Sequence, residues 1–538
     1  MCLTCYYQIG RTAYKDAMSI MIGLFRKTYM TAVRWSQRNS GMEIAEANHV
    51  VEMGRKSARG SIISLIASAI RTFIQLIFAA VLSRLLSIDD YGVMAMSSTI
   101  IYFFALFSDL GMGGATIQRR VVQQEILSTL FWISVGVGIT LCIICCALAP
   151  FVGAFYNDHR LVLVVVISSA IIPLGSLGSQ HFAMLSRQAR WKGINAAGVL
   201  SQLVGGLLSI ALAYFFSIGY WALAVQSVSA AAANTAFLWF LCRWRPSWPS
   251  EWRQARSSLS FGGYLMAFFA LNYAHRQMDN VIVGRALGSE PLGLYSRSYN
   301  LFMMPLTAIV WPIANVITPL LARQRDDPRR FALTYSSALA SVYLVTLPFA
   351  GGLYLFANEC VSILYGKKWH SCAEILAILA IAILWQPAYT SGGWIEIGLG
   401  RTKRHFQAAL CAVSVYLIAF AIGVKGGTTG MAKAYVIANM IVVGPWLWWA
   451  ARGTAISVGG ILTAVRGSAV ALAVAVGVTL IATPYLHLPG DGLLNFFARA
   501  TLYGLVYVIT ALVLWKIDRN WAMLVEAAID KLVRRSTD

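Results

Sequence analysis

The chain has 538 residues, 58% of them apolar and only 12% charged, about half the ~25% charged share of soluble domains. Its net charge of +21 lies in short basic clusters between apolar runs, which excludes both a soluble globular domain and a nucleic-acid binder with its basic residues on one face. The composition is that of an integral membrane protein.

Residues 1–60 form a basic segment whose longest apolar run, AMSIMIGLF, is too short to span and has no small-residue cleavage site, so no signal peptide is read there. Met53 opens MGRKSARGSII, a basic flank leading into the first apolar run, and is an alternative start of translation. Cys2 and Cys5 make a lone CxxC, a weak signal without a second pair.

A membrane helix needs about 20 mainly apolar residues. On that length fourteen spans are predicted: 61–86, 92–115, 126–155, 160–183, 193–217, 219–242, 260–286, 293–321, 332–356, 371–397, 405–423, 430–451, 461–485 and 496–516. Cys142, Cys145 and Cys146 fall inside the third with no partner ligand spaced for a metal, and read as small buried side chains. Loops after even-numbered spans carry eighteen Lys and Arg residues, among them Arg187, Arg243 and Arg401, against seven in the other set. The positive-inside rule then places both termini in the cytoplasm.

The stretches SRLLSIDDYGV (83–93) and GRALGSEPLGL (284–294) repeat the pattern RxLxx[DE]xxG, with Arg84 and Arg285 201 positions apart. Each joins two long spans, and six spans separate equivalent points. The expected fold is therefore an all-α membrane protein with two six-helix lobes, 61–242 and 260–451, related by a parallel pseudo-two-fold repeat. A cytoplasmic linker (243–259) joins the lobes, two additional helices lie within 452–516, and residues 517–538 form a cytoplasmic tail. Gly92 and Gly293 are expected to supply a tight turn, and the pairs Arg84 with Asp89 and Arg285 with Glu290 to bridge it or meet headgroups, a structural role.

Charges within spans are costly, at least ~2.5 kcal/mol each at mid-bilayer, and face cavities or partners. Arg71, Arg276, Asp279 and Arg297 are the candidate substrate-binding residues; Arg276 and Asp279, three apart, share a helical face on which they could instead pair. Asp109, in SDLGMGG, either caps a bend or binds a coupling cation. Glu396 is expected to pair with Arg401. Trp369, Trp446, Trp448 and Trp449 fit an interfacial belt, while Tyr264, Tyr273 and Trp394 fall deeper, where a ring could stack on a sugar.

The run LSRLLSIDDYGVMAMSSTIIYFFALFSDLGMGGATIQRR resembles the opening of the Wzx-like polysaccharide transporters, the oligosaccharide flippases of the multidrug/oligosaccharidyl-lipid/polysaccharide exporter superfamily. GLYSRSYNLFMMPLTAIVWPIANVITPLLARQRDD resembles the second-lobe signature of the same family, and ILYGKKWHSCAEILAILAIAILWQP its approach to the tenth span. The resemblance implies translocation of an undecaprenyl-diphosphate-linked oligosaccharide across a bacterial inner membrane, for exopolysaccharide or lipopolysaccharide synthesis. It further implies lipid partners, polymerase and export proteins, no nucleic acid and no cofactor. No Walker A motif or catalytic constellation is present in the sequence, so a transporter driven by a proton or sodium gradient, the membrane potential or consumption of its substrate downstream is expected, not an enzyme. The rival reading is a cation-coupled multidrug antiporter, which should carry mid-membrane acids rather than arginines.

Overall fold

The computed structural model describes residues 67–109, 111–118, 123–250, 276–486 and 492–527, with Ser64 and Tyr273. Cys2, Cys5, Met53, Arg119, Arg120, Arg253, Arg256, Tyr264 and the last eleven residues lie outside the described residues. Every regular element among those described is helical, as it must be where no water is available to satisfy peptide groups.

The N-terminal half comprises α1 (Ala67–Leu85), then α2 (Ile88–Ala105), α3 (Met112–Gln118), α4 (Gln124–Tyr156), α5 (Arg160–Ser168), α6 (Ile171–Arg187), α7 (Trp191–Phe216) and α8 (Trp221–Leu241). The C-terminal half comprises α9 (276–287), α10 (Ser289–Arg323), α11 (Pro328–Leu355), α12 (Ala357–Leu364), α13 (Ser371–Ile381), α14 (Gln386–Gly398), α15 (Thr402–Gly423) and α16 (Gly427–Ala451). Helices α17 (Val458–Ala482) and α18 (Gly492–Ile517) pack beside α11, and α19 (519–527) closes the described chain.

Ten of the described helices are long and apolar enough to cross a membrane, or eleven with a bent pair, Ser371–Leu384 and Gln386–Gly398, taken together. That ten counts Thr402–Ala451 once, although the 3-10 turn Val424–Gly426 and Gly427 at φ 70° divide it. Most of the predicted span 260–286 lies outside the described residues.

The predicted span 92–115 is broken. Helix α2 starts earlier, where Ser87 and Asp90 form a reciprocal capping box, and the chain turns at 106–109 and again at Gly111, φ 73°. The Asp109 carboxylate accepts the Gly113 N–H at 2.8 Å and so caps α3. In the C-terminal half, Asp327 caps α11 by accepting the Arg330 N–H, with Pro328 in its first turn.

Gly92 and Gly293 do not form the turns expected of them. Both lie inside helices, α2 and α10, at the place where these two cross. A Cβ on Gly92 would overlap the Ser289 carbonyl, and one on Gly293 the Ile88 carbonyl. Each motif glycine is thus a gap that lets the backbone of one half approach the other.

Candidate functional site

A cavity of about 540 Å³ lies inside the C-terminal half, bounded by α9, α10, α14, α15 and α16. That volume falls within the ~300–1,000 Å³ of small-molecule sites. Its walls combine aliphatic side chains with the rings of Tyr299, Trp311, Tyr389, Trp394, Tyr416 and Trp446, and its polar groups include Arg276, Asp279, Asn315, Gln386 and His405. The tyrosines hold one another: Tyr435 donates to Gln386 at 3.4 Å, and its ring stands edge-on to Tyr299 at 5.6 Å.

Arg276 and Asp279 meet at this cavity but not as an ion pair. Asp279, 3% exposed, accepts from the Tyr295 hydroxyl at 3.0 Å and the Asn280 N–H at 2.8 Å. Arg276 is exposed, its guanidinium carbon 6.0 Å from the centre of the Trp311 ring. An exposed cation that forms no ion pair with Asp279 can meet an incoming anion.

The other predicted charges sit elsewhere. Arg71 belongs to the N-terminal half and faces α7, where a Cβ on Gly198 would lie 3.0 Å from its Nη1 and Gln202 donates to its carbonyl at 3.2 Å. Arg297 is wedged between the halves, 3.7 Å from the Tyr91 ring centre and 5.3 Å from that of Tyr365. Such stacking is worth ~0.5–2 kcal/mol. Glu396 is fully buried and 3.8 Å from Arg404, rather than paired with Arg401, whose guanidinium donates instead to the Arg452 carbonyl. Tyr273 donates to the Thr99 carbonyl at 3.1 Å, bridging α2 to the C-terminal half.

Apart from that bond, the hydrogen bonds described between the halves gather at the end that carries the repeated motifs. Arg84 does not bridge its turn to Asp89; it crosses to the C-terminus of α12, donating to the Ile363 carbonyl at 2.7 Å and to Leu364 at 3.3 Å, where orphaned helix carbonyls favour a cation. Lys368 donates back to the Arg84 and Leu86 carbonyls. Trp369, expected in an interfacial belt, is fully buried and donates to the Ser83 carbonyl at 2.9 Å. Asp89 accepts from Arg160 and from the hydroxyl of Ser289. The second motif is used differently: Arg285 lies 5.7 Å from the Phe155 ring centre, Glu290 is exposed, and Ser289 makes the bond. Nothing in the sequence pattern marked Ser289, Lys368 or Arg160 for this latch, because their partners are more than 70 positions away.

The hydrogen bond from Arg160 holds the Asp89 carboxyl below its ordinary value of 3.8, against burial, with Ser289 helping; Asp158 is lowered by the same arginine. Arg160 belongs to the same half as Asp89, so only the part of the lowering that comes from Ser289 on the other half favours the latched form above the unlatched pKa, and that part is lost as pH falls through the lower, latched value. The latch is therefore expected to hold unchanged from about pH 8 to 5 and to weaken only below about pH 4. Labelling of a Met96→Cys variant, at a position 1% exposed in this contact, by an impermeant thiol reagent in a background lacking other cysteines checks this; faster labelling already at pH 6 would contradict it.

Among the described residues no group of three or more His, Cys, Asp or Glu side chains could hold a metal ion. The Cys142 and Cys146 thiols instead meet the Ser169 hydroxyl at 3.2 and 3.3 Å.

The chain is 24% identical to the lipopolysaccharide biosynthesis protein WzxC of Escherichia coli (strain K12), over 73% of this chain and 80% of that protein. It is also 24% identical to the teichuronic acid biosynthesis protein TuaB of Bacillus subtilis (strain 168), over 70% and 79% respectively. Its fold is shared with the lipid II flippase MurJ in an inward closed conformation, at a TM-score of 0.68 and 14% identity, over 85% of this chain and 99% of that one. The profile of the polysaccharide biosynthesis protein family matches residues 81–374, more than half of the sequence, and it spans both motifs, the latch and part of the cavity wall: the chain belongs to the polysaccharide biosynthesis protein family.

Proposed function

We propose that this protein is a flippase that carries an oligosaccharide linked to an undecaprenyl diphosphate from one leaflet to the other, and not an enzyme. The observation that carries this reading is Arg276, an exposed arginine without an ion-pair partner among the described residues, at a large cavity inside a membrane protein of this family. A diphosphate must shed water to cross, and a planar guanidinium fork matches its oxygens two at a time. The names of the relatives, one a lipopolysaccharide and one a teichuronic acid biosynthesis protein, support a glycan cargo over a cationic drug.

The reading includes fourteen spans: the ten described, the bent pair, the divided run Thr402–Ala451 counted twice, the broken α2–α3 segment, and 260–286. The two halves are lobes of a parallel repeat that rock about a central axis. The latched, motif-bearing end is extracytoplasmic and the arginine-rich end cytoplasmic, in a bacterial inner membrane, so the described conformation is closed to the outside. Movement draws on an ion gradient or the membrane potential.

Depletion of the protein tests this. A lipid-linked oligosaccharide should accumulate on the cytoplasmic face and export of the glycan should stop. In cells that express the protein, a cysteine at Glu290 should react with an impermeant reagent from outside, and one at Arg325 only after lysis. Export continuing at the normal rate after depletion, or the reverse labelling pattern, overturns the reading.

A further inference from the structure

We infer that the aromatic chamber of the C-terminal half is a sugar subsite that lets this protein select its glycan, a step that rests on the flippase reading and goes beyond it. Trp394 carries the inference. It lines the cavity and is 3% exposed, yet its indole N–H has no acceptor among the described residues. A buried donor left unmade costs about 1–3 kcal/mol; the nitrogen is covered as the ring now stands, and a small turn of the ring toward the cavity would let an acceptor from a bound molecule satisfy it.

The neighbouring groups define which molecule. Of the other two indoles in the lining, that of Trp446 is spent, because it donates to the Tyr389 carbonyl at 2.8 Å. Asn315 on α10 and Gln386, on α14 with Trp394 itself, add hydrogen-bonding edges. A pyranose has apolar C–H faces and a polar rim, so it fits flat walls with donors and acceptors around them. An isoprenoid tail would cover the walls and leave the Trp394 donor unmet. Arg276, on α9 over Trp311, is a separate cationic feature of the same cavity and suits the diphosphate. One cavity then reads both parts of the cargo, charge at Arg276 and sugar at Trp394.

The two parts predict different losses. The full-length protein in lipid nanodiscs is titrated with two probes: undecaprenyl diphosphate alone, and the lipid-linked oligosaccharide extracted from cells depleted of the protein. Wild type should bind the second at least about tenfold more tightly. Trp394→Phe, which keeps a ring and removes the N–H, should reduce that ratio about fivefold, one net hydrogen bond, without changing affinity for the diphosphate lipid. Arg276→Ala should weaken both probes alike. A ratio unchanged in Trp394→Phe overturns the sugar subsite, as does an equal loss for both probes. Should that variant insert poorly, Asn315→Ala is expected to give the same selective loss, and an unchanged ratio there overturns the subsite equally. Failure of the flippase reading looks different: neither probe would bind the wild type, and depletion would accumulate nothing.

Discussion

Replacing Arg276 with alanine is expected to reduce glycan export at least tenfold per inserted molecule while leaving protein abundance unchanged. The arginine is exposed and makes no ion pair with Asp279, so its removal leaves no buried charge without a partner. What is lost is a pair of charge-assisted hydrogen bonds to the cargo, worth about 1.5–3 kcal/mol, or roughly ten- to 150-fold. Arg276→Lys keeps the charge but not the fork and should fall between alanine and wild type. Because Asp279 is held by Tyr295 and its neighbouring backbone, adding Asp279→Ala to Arg276→Ala should not restore export. Rescue by the double change would show that the arginine serves the aspartate, and export at the wild-type rate in Arg276→Ala would remove it from the transport path. Arg71→Ala, whose side chain faces Gly198 across α7, is the comparison: export should fall less than in Arg276→Ala.

Gly92→Val is expected to abolish transport by a different route. The valine Cβ would occupy the space of the Ser289 carbonyl, and that backbone cannot move aside as a flexible side chain could. Overpacking of this kind costs about 1–3 kcal/mol, a factor of roughly 5 to 150 against the latched state. Around it, the bonds of Arg84 to α12, of Trp369 to Ser83 and of Asp89 to Ser289 would all have to lengthen together. Gly293→Val should act alike, since its contact with the Ile88 carbonyl is the mirror of the first. The Met96→Cys reporter should become reactive in both variants at neutral pH. Continued protection of that cysteine, with normal transport, would mean that the two helices have slack at this crossing and that the motif glycines are not needed for closure.

How the sequence relates to the structure is clearest in the motif itself. The repeat of RxLxx[DE]xxG was legible because it is written in contiguous residues, and so was the proximity of Gly92 to a helix end. Its bonding was not legible. Arg84 and Asp89, five apart, invite pairing with each other, yet each finds a partner far along the chain, because the crossing of α2 and α10 brings helix termini and hydroxyls nearer than the loop brings its own acid. The two copies are also used unequally, Asp89 bonded and Glu290 exposed, which no symmetry of sequence could foretell. Trp369 was misplaced for the same kind of reason: its amphipathic ring suits a headgroup region, but the Ser83 carbonyl at 2.9 Å satisfies its N–H inside the protein.

The sequence by itself determined that this is a helical membrane protein, where most spans lie, which loops are basic and which charges stand inside apolar segments. Those properties follow from transfer free energy and helical rise, summed over neighbouring residues. Only the tertiary structure decided which of those charges remains available. Arg276 and Asp279, Arg71 and Arg297 look alike along the chain, each an ionised group in an apolar helix. Their surroundings diverge because burial, ring stacking and hydrogen bonding depend on what the neighbouring helices present: Tyr295 to Asp279, Tyr91 and Tyr365 to Arg297, and to Arg276 an open cavity, while Arg71 lies beside Gly198, which has no side chain to hold it.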